Sequence, residues 1–250
     1  MFVQDLEYKL IQPPGFLAEF VESYWMLVNH SAEEKAVVLV PDGRVDVFFS
    51  RSATEPFHVT IAGLERQAAS ASIRPKTVIF AVSFKLLAIE SLLDTTVAVD
   101  EVRYLPADFW GLSADDLADF DRFCQTVSAT LPSLIHNAID PRKRRLFDRI
   151  YASNGAQTIH ELAGHSAWSS RQINRYFNQR FGLSLKAYCD ILRFRASFQA
   201  ISAGKLFPEQ NFTDQAHFIR DVRKFSGVTP KQLSKNQNDR FIQFSTLEKP

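Results

Sequence analysis

Arginine and asparagine recur at helical spacing in the stretch SSRQINRYFNQRFGLSLK that begins at Ser169. Drawn at 100° per residue, Arg171, Asn174, Arg175 and Asn178 share one side of a helix, while Ile173, Tyr176 and Phe177 share the other with Ser169 and Arg180. Forty-five residues later the pattern returns in DQAHFIRDVRKFSGVTPK from Asp214, with Phe218, Val222 and Phe225 inward and Ala216, Ile219, Arg220 and Arg223 outward. The chemistry these outer residues fit is the reading of base edges. A guanidinium matches the two major-groove acceptors of guanine, an asparagine amide matches adenine, and an isoleucine can meet a thymine methyl. One good bidentate contact discriminates by about 1–3 kcal/mol. The plainer alternative is a pair of bundle helices with solvated arginine faces.

Helices must carry these residues, and the punctuation for them is present. Gly182 and Gly227 stop the two copies, and Ser184 and Thr229 can each cap the next helix. Ser184 to Ala203 reads as one helix of twenty residues, about 30 Å at 1.5 Å per residue. That is close to the roughly 34 Å between successive major-groove faces. Upstream, 142–153 reads as a helix ended by Asn154-Gly155, and Thr158 with Glu161 forms a capping box for the next. Thr229-Pro230 is an N-cap with proline at the first helical position. Residues 237–250 read as a loose tail.

Charge divides the chain in the same place. Residues 141–250 hold 19 Lys+Arg against 8 Asp+Glu, and residues 1–140 hold 10 against 20, although the whole chain of 250 residues carries only +1. A polyanion partner for the C-terminal half explains the split; chance asymmetry between two soluble domains is the alternative. The hydrophobic fraction of 46% fits a globular protein. The N-terminus is not the basic-then-apolar pattern of a secretion signal and no apolar run reaches membrane length, so a cytoplasmic protein without a membrane partner is expected. Cys124 and Cys189 read as reduced thiols in packed helices.

Up to about residue 105 the chain looks β-rich, with runs at 36–40, 44–49, 58–63 and 77–84 and turn signals at Pro41-Asp42-Gly43 and Arg74-Pro75. Pro14–Val28 reads as opening with a short helix, and 85–93 is more helical than extended. From Ser113 the apolar residues recur at three and four through Leu131, a helix of about five turns ending before Asp140-Pro141.

Residues 142–236 resemble the AraC/XylS family of bacterial transcription regulators. The resemblance rests on Glu161-Leu162-Ala163, Ser169, Arg171-Gln172, Arg175-Tyr176-Phe177, Phe181 to Ser184, Tyr188, Arg193 and Ala196. It continues in Asp214 to Arg220 and Phe225 to Pro230. It implies two helix-turn-helix units joined by the long helix. Base contacts would fall to Arg171, Asn174 and Arg175 in the first unit, and to Gln215, Ala216, Ile219 and Arg220 in the second. The segment 204–212, which should support the second unit, is short and contains Pro208; Phe212 fills the usual aromatic slot. The N-terminal half is similar, more distantly, to the sensor domains of one AraC branch, through Tyr24-Trp25 and Pro41 to Phe48. Pro41–Gly43 equally reads as a tight turn between strands.

The expected architecture is therefore α+β. A β-rich sensor or dimerisation domain covers 1–138, an all-α DNA-binding domain 142–236 and a tail 237–250. Double-stranded DNA is the expected partner, with a small-molecule effector, a homodimer through the N-domain and RNA polymerase as further partners and no cofactor. Trp25, Asp42, Arg44, Asp46 and Arg74 are effector-pocket candidates as polar or aromatic residues near strand ends. An effector-binding or interaction module that has lost DNA binding is the alternative. Catalysis finds no nucleophile–base pair to name. His160 and His165 flank Glu161 at a spacing of five rather than four, so they do not form a zinc-protease pair on a helix. His30, His58, His136 and His217 lack metal-ligand spacing. The run Arg142–Arg145 suits phosphate, an anionic ligand, or simply solvent.

Overall fold

The computed structural model describes residues 2–3, 5–93, 95–135, 139–206 and 212–247. Most of 204–212, including Pro208, lies outside them, as does His136. Nine strands come first: β1 (Phe2–Val3), β2 (Leu6–Ile11), β3 (Val21–Asn29), β4 (Lys35–Leu39), β5 (Val45–Arg51), β6 (His58–Ala62), β7 (Ala69–Ile73), β8 (Val78–Phe84) and, after the short helix α1 (Leu87–Ser91), β9 (Val102–Leu105). Helices α2 (Phe120–Thr130), α3 (Pro141–Ala152), α4 (Ile159–Ser166), α5 (Ser170–Phe181), α6 (Leu185–Ala196), α7 (Phe198–Ser202), α8 (Gln215–Ser226), α9 (Pro230–Lys235) and α10 (Ile242–Ser245) come after them. The α+β architecture is as expected: a sheet domain, then a helical one. No helix among the described residues is long and apolar enough to cross a membrane.

Two compact units emerge. The sheet unit comprises Met1–Ala36, Arg44–Gly63 and Ser72–Ala138; the helical unit comprises Val37–Gly43, Leu64–Ala71 and Ile139–Pro250.

In the sheet unit, seven strands run in the order β1-β2-β3-β8-β5-β6-β9; β4 and β7, which have three of their five residues each in the helical unit, pair in a separate ribbon. Neighbours in the large sheet are antiparallel. Alternation decides its faces. Tyr24, Val82, Val47 and Ile61 lie in one cross-strand row and are 0–1% exposed. Helix α2 covers this face: Phe123 packs its ring on Phe49 and Phe80, both at 5.3 Å, and Ser128 donates to the Tyr24 hydroxyl at 2.9 Å. Burial raises the Tyr24 phenol above its ordinary pKa. Trp25, Ala81, Phe48 and Thr60 form a row of the opposite face.

The five-turn helix expected from Ser113 is divided. A 3-10 turn (Ala114–Ala118) precedes α2, because Asp119 adopts an extended backbone and its carboxylate accepts from Arg122 N. An aspartate that can bond its own downstream amide favours a cap over a helix interior.

The helical unit buries Leu146, Phe147, Ile150, Leu162, Ile173 and Phe177 around its first helices. A second cluster joins Ile191, Phe194, Phe198, Phe218, Val222 and Phe225 to Leu233, Phe241 and Phe244. The last two correct the expectation of a loose tail: Phe241 is 2% and Phe244 6% exposed, so the segment before residue 248 is part of the core.

The helix expected over 184–203 comes in two pieces, α6 and α7, interrupted at Ser197. Its backbone N–H reaches Phe194 O at 3.0 Å, and its hydroxyl donates to that same carbonyl at 2.6 Å. Such back-bonding by serine competes with the regular ladder and bends helices. Helix α6 alone spans about 18 Å at 1.5 Å per residue.

Candidate nucleic-acid interface

Local signals start and stop α5. The Ser169 hydroxyl accepts from Gln172 N at 3.2 Å, and Gln172 Oε1 accepts from Ser169 N at 2.9 Å. Gly182 closes the helix at φ 68°. Helix α4 opens with the same device, Thr158 N donating to Glu161 Oε2 at 2.7 Å. Those backbone and hydroxyl bonds hold the Glu161 carboxyl below its usual pKa. Asp214 caps α8 by accepting from His217 N at 2.7 Å, and Gly227 ends it at φ 74°. The two stretches 45 residues apart thus fold into like-built twelve-residue helices.

Each helix buries the centre of its expected stripe, although on α5 Tyr176 and Arg180 are half-buried and Ser169 is exposed. Ile173 and Phe177 are fully buried on α5, and Phe218, Val222 and Phe225 are 0–2% exposed on α8. The opposite faces carry Arg171, Arg175 and Asn178, and Gln215, Ala216, Arg220 and Arg223, all exposed. None of these four arginines makes an ion pair among the described residues. Arg193, which resembled a family position, behaves otherwise. It pairs with Asp190 and donates to Gly155 O at 3.2 Å, a structural role.

Two outer residues are less open than the periodicity implied. Asn174 is half-buried, and its Nδ2 donates to Ser170 O at 3.1 Å. Asn178 Nδ2 likewise donates to Asn174 O at 2.8 Å. Each amide keeps its oxygen and second N–H, the pair an adenine edge needs. Ile219 is half-buried and packs against the second core cluster. It is therefore partly a core residue, which explains an isoleucine at that slot without invoking a thymine methyl.

The turn before α5 is walled by aromatics and cations. The Arg142 guanidinium lies 5.3 Å from the Trp168 ring, and Lys143 Nζ lies 4.7 Å from the Tyr176 ring. Arg142 is also tied to Asp140 at 2.7 Å, and this pairing holds the Asp140 carboxyl at about 2. Arg145 and Arg149 stay exposed without an ion pair among the described residues.

A clasp that sequence reasoning missed ties α6 to α8. Asp190, 7% exposed, faces Arg193 and Lys186 on its own helix and Lys224 Nζ at 3.8 Å on α8. The positions of Lys186 and Arg193, four before and three after, were a local signal for the first two partners; nothing local indicates Lys224. On α8, His217 Nε2 lies 3.2 Å from Asp221 Oδ2.

The effector candidates divide. Trp25 Nε1 donates to Ser83 Oγ at 3.1 Å, and that hydroxyl donates to Asp46 Oδ1. Phe48 meets the Trp25 ring edge-on at 5.6 Å. Arg44, 4% exposed, pairs with Glu22 at 2.9 Å, so its charge is answered inside the protein. Arg74 bonds Glu55 at 3.0 Å outside the β5–β8 ladder, beyond its Arg51–Val78 end, which itself lies about five residues or roughly 17 Å from Asp46. Asp42 is half-buried and belongs to the segment that clusters with the helices. Trp25 and Asp46 are brought together through Ser83.

Residues 9–101 match a family described as a domain of unknown function, DUF6597. No curated protein matches the chain. Among solved structures, ToxT from Vibrio cholerae is similar at 10% identity over 92% of this chain and 97% of its own, with a TM-score of 0.41. ToxT from the same organism bound to (E)-4-(8-methylnaphthalen-1-yl)but-3-enoic acid gives 10% identity over 92% and 98%, with a TM-score of 0.43. Its unsaturated fatty acid-bound form gives 8% over 92% and 94%, with a TM-score of 0.39.

Proposed function

We propose that this chain is a sequence-specific DNA-binding transcription regulator whose sheet unit takes a small-molecule effector. One observation carries the reading. Two helices of the same build, stopped by the same device, bury apolar stripes and turn outward arginines that make no ion pair among the described residues, in the half of the chain with 19 basic and 8 acidic residues. Burying one face fixes the direction of the other. An exposed arginine without an internal carboxylate keeps its fork of donors for phosphate or guanine.

In this reading Arg171, Arg175, Arg220 and Arg223 supply the main contacts, with Asn174, Asn178, Gln215 and Ala216 at the base edges and Ile219 in a supporting place. Phosphate neutralisation gives affinity that falls with salt, and the base edges give sequence. On the sheet unit, the chain Trp25–Ser83–Asp46 offers fixed polar groups beside two aromatic rings, and it is the effector site we infer.

The test is gel-shift titration of the full chain on duplexes selected from a randomised pool. Arg175→Ala and Arg220→Ala should each lose about 5- to 150-fold of discrimination, at base positions separate from one another. If both variants discriminate like the parent, the assignment of the reading helices fails. If the parent shows no salt-dependent duplex binding at all, the function fails with it.

A further inference from the structure

Two segments of the N-terminal half, Val37–Gly43 and Leu64–Ala71, are built into the helical unit, and the first of them is tied to its helices. Val38 N donates to Arg240 O at 2.6 Å, and Val38 pairs with Phe241 as a parallel bridge. The Gln243 side chain brackets Val40: its Nε2 donates to Val40 O at 2.9 Å, and its Oε1 accepts from Val40 N at 3.2 Å. Val40 itself, 1% exposed, belongs to the cluster that holds Ile191, Phe194, Phe218 and Phe225. At the end of the segment the Tyr188 hydroxyl donates to Gly43 O at 3.1 Å. Gly43 sits at φ 79°, and a Cβ there would stand 2.9 Å from Leu192 Cδ2 and 3.3 Å from Tyr188 Cε2. The Pro41-Asp42-Gly43 turn is thus pressed onto α6, the helix that leads from the first reading helix toward the second.

The next residues along the chain belong to the sheet unit. Arg44 is held by Glu22, Val45 is in ladder with Phe84, and Asp46 is in ladder with Ser83, the serine that accepts from Trp25. Two residues, Arg44 and Val45, therefore separate the Tyr188 latch at Gly43 from Asp46 of the Trp25–Ser83–Asp46 chain. The backbone is extended and hydrogen-bonded from Val45 onward, so it has little slack to absorb a displacement.

We propose that Val37–Gly43 is a transmission strand, latched by Tyr188 and Gln243, through which the sheet unit sets the geometry of the two reading helices. Latched, it completes the core between α6, α8 and the C-terminal segment and keeps the second helix-turn-helix in a fixed relation to the first. A ligand that shifts the start of β5 pulls on the latch. This rests on the DNA-reading function proposed above, and it makes the isolated helices an incomplete unit.

The test uses the full chain with Gln243→Ala and Tyr188→Phe, and Tyr151→Phe as the control. The Tyr151 hydroxyl meets that of Tyr188 at 3.1 Å, one step further from the strand. Amide hydrogen exchange at Val38 and Val40 and affinity for a duplex selected by the parent are both measured, with Cys124 labelling as the check that the sheet unit is folded. Both latch variants should exchange those amides about two- to tenfold faster, the factor one lost hydrogen bond corresponds to, and should bind the duplex more weakly by a similar factor. The control should leave both unchanged. Unchanged exchange in both latch variants, or faster exchange with parental duplex affinity, overturns the proposal. A parent that binds no duplex overturns the DNA-reading function instead, and transmission to it as well. If one latch variant exposes Cys124, the other carries the test.

Discussion

The carbonyl oxygen of Cys189 occupies the place a side chain at Gly155 would need: a Cβ there would stand 2.5 Å from it. Gly155 also sits at φ 71°, and its own carbonyl accepts from Arg193. The turn between α3 and α4 is therefore set down directly on the backbone of α6. Gly155→Ala must displace backbone, not a flexible side-chain end, and adds strain at positive φ. We expect it to cost about 3 kcal/mol in urea unfolding, the upper range of single substitutions.

The turn between α4 and α5 holds the opposite case. Ala167 closes α4 in the left-handed region at φ 52° with a Cβ that disfavours it. It is exposed, so removing that methyl leaves no buried cavity. Ala167→Gly should stabilise the protein by about 0.5–1 kcal/mol and raise the urea midpoint without changing the slope.

Two buried thiols report on the two units separately. Burial pushes Cys124 up to about 12, with the nearby Asp121 carboxylate adding to it, and burial likewise pushes Cys189 to about 12. At pH 8 only about one thiol in ten thousand is then thiolate, the reactive form. Native protein should resist iodoacetamide over hours, and labelling should appear only with unfolding. Because the folded values are raised, the thiols favour folding up to about pH 9, and that contribution is lost as pH rises from there toward 12. Prompt labelling of either cysteine at pH 8 would refute its packing.

Acid acts on the start of α3. The Arg142 side chain first, then its backbone N–H, hold Asp140 at about 2. A depressed carboxyl contributes stability that is present above its unfolded value, about 3.9, and is lost as pH falls through about 2. Asp140→Ala should therefore cost about 1 kcal/mol at pH 7, as lost N-caps do, and the gap from the parent should close between pH 4 and pH 2. The comparison is by chemical denaturation at each pH.

Arg145 offers a contrast with the base-reading positions. It is exposed on α3 without an ion pair among the described residues, three positions after Arg142, whose guanidinium lies on the Trp168 ring. As a phosphate contact, Arg145→Ala should lower the slope of log affinity against log salt by about 0.9 and leave base preference intact. A change in base preference would move it to the reading face.

The run of helices from α3 to α9, apart from the break at Ser197 that divides α6 from α7, and the centre of the stripe each reading helix buries, were legible in the order of residues alone. Caps such as Ser169 with Gln172, stops such as Gly182 and stripes such as Ile173 and Phe177 act within a turn or two, through bonds between a side chain and its own neighbouring backbone. The four strands β4, β5, β6 and β8 were legible from their own short apolar runs set between turn signals, which are local as well. Packing at long range settled the rest: Phe241 and Phe244 join the core, Ile219 leans into it, and Lys224 answers Asp190. It also placed Gly43 and Val40 in the grip of Tyr188 and Gln243, 145 and 203 residues further along. Such contacts depend on the shapes of surfaces that exist only after the helices have packed, and no short spacing in the chain encodes them.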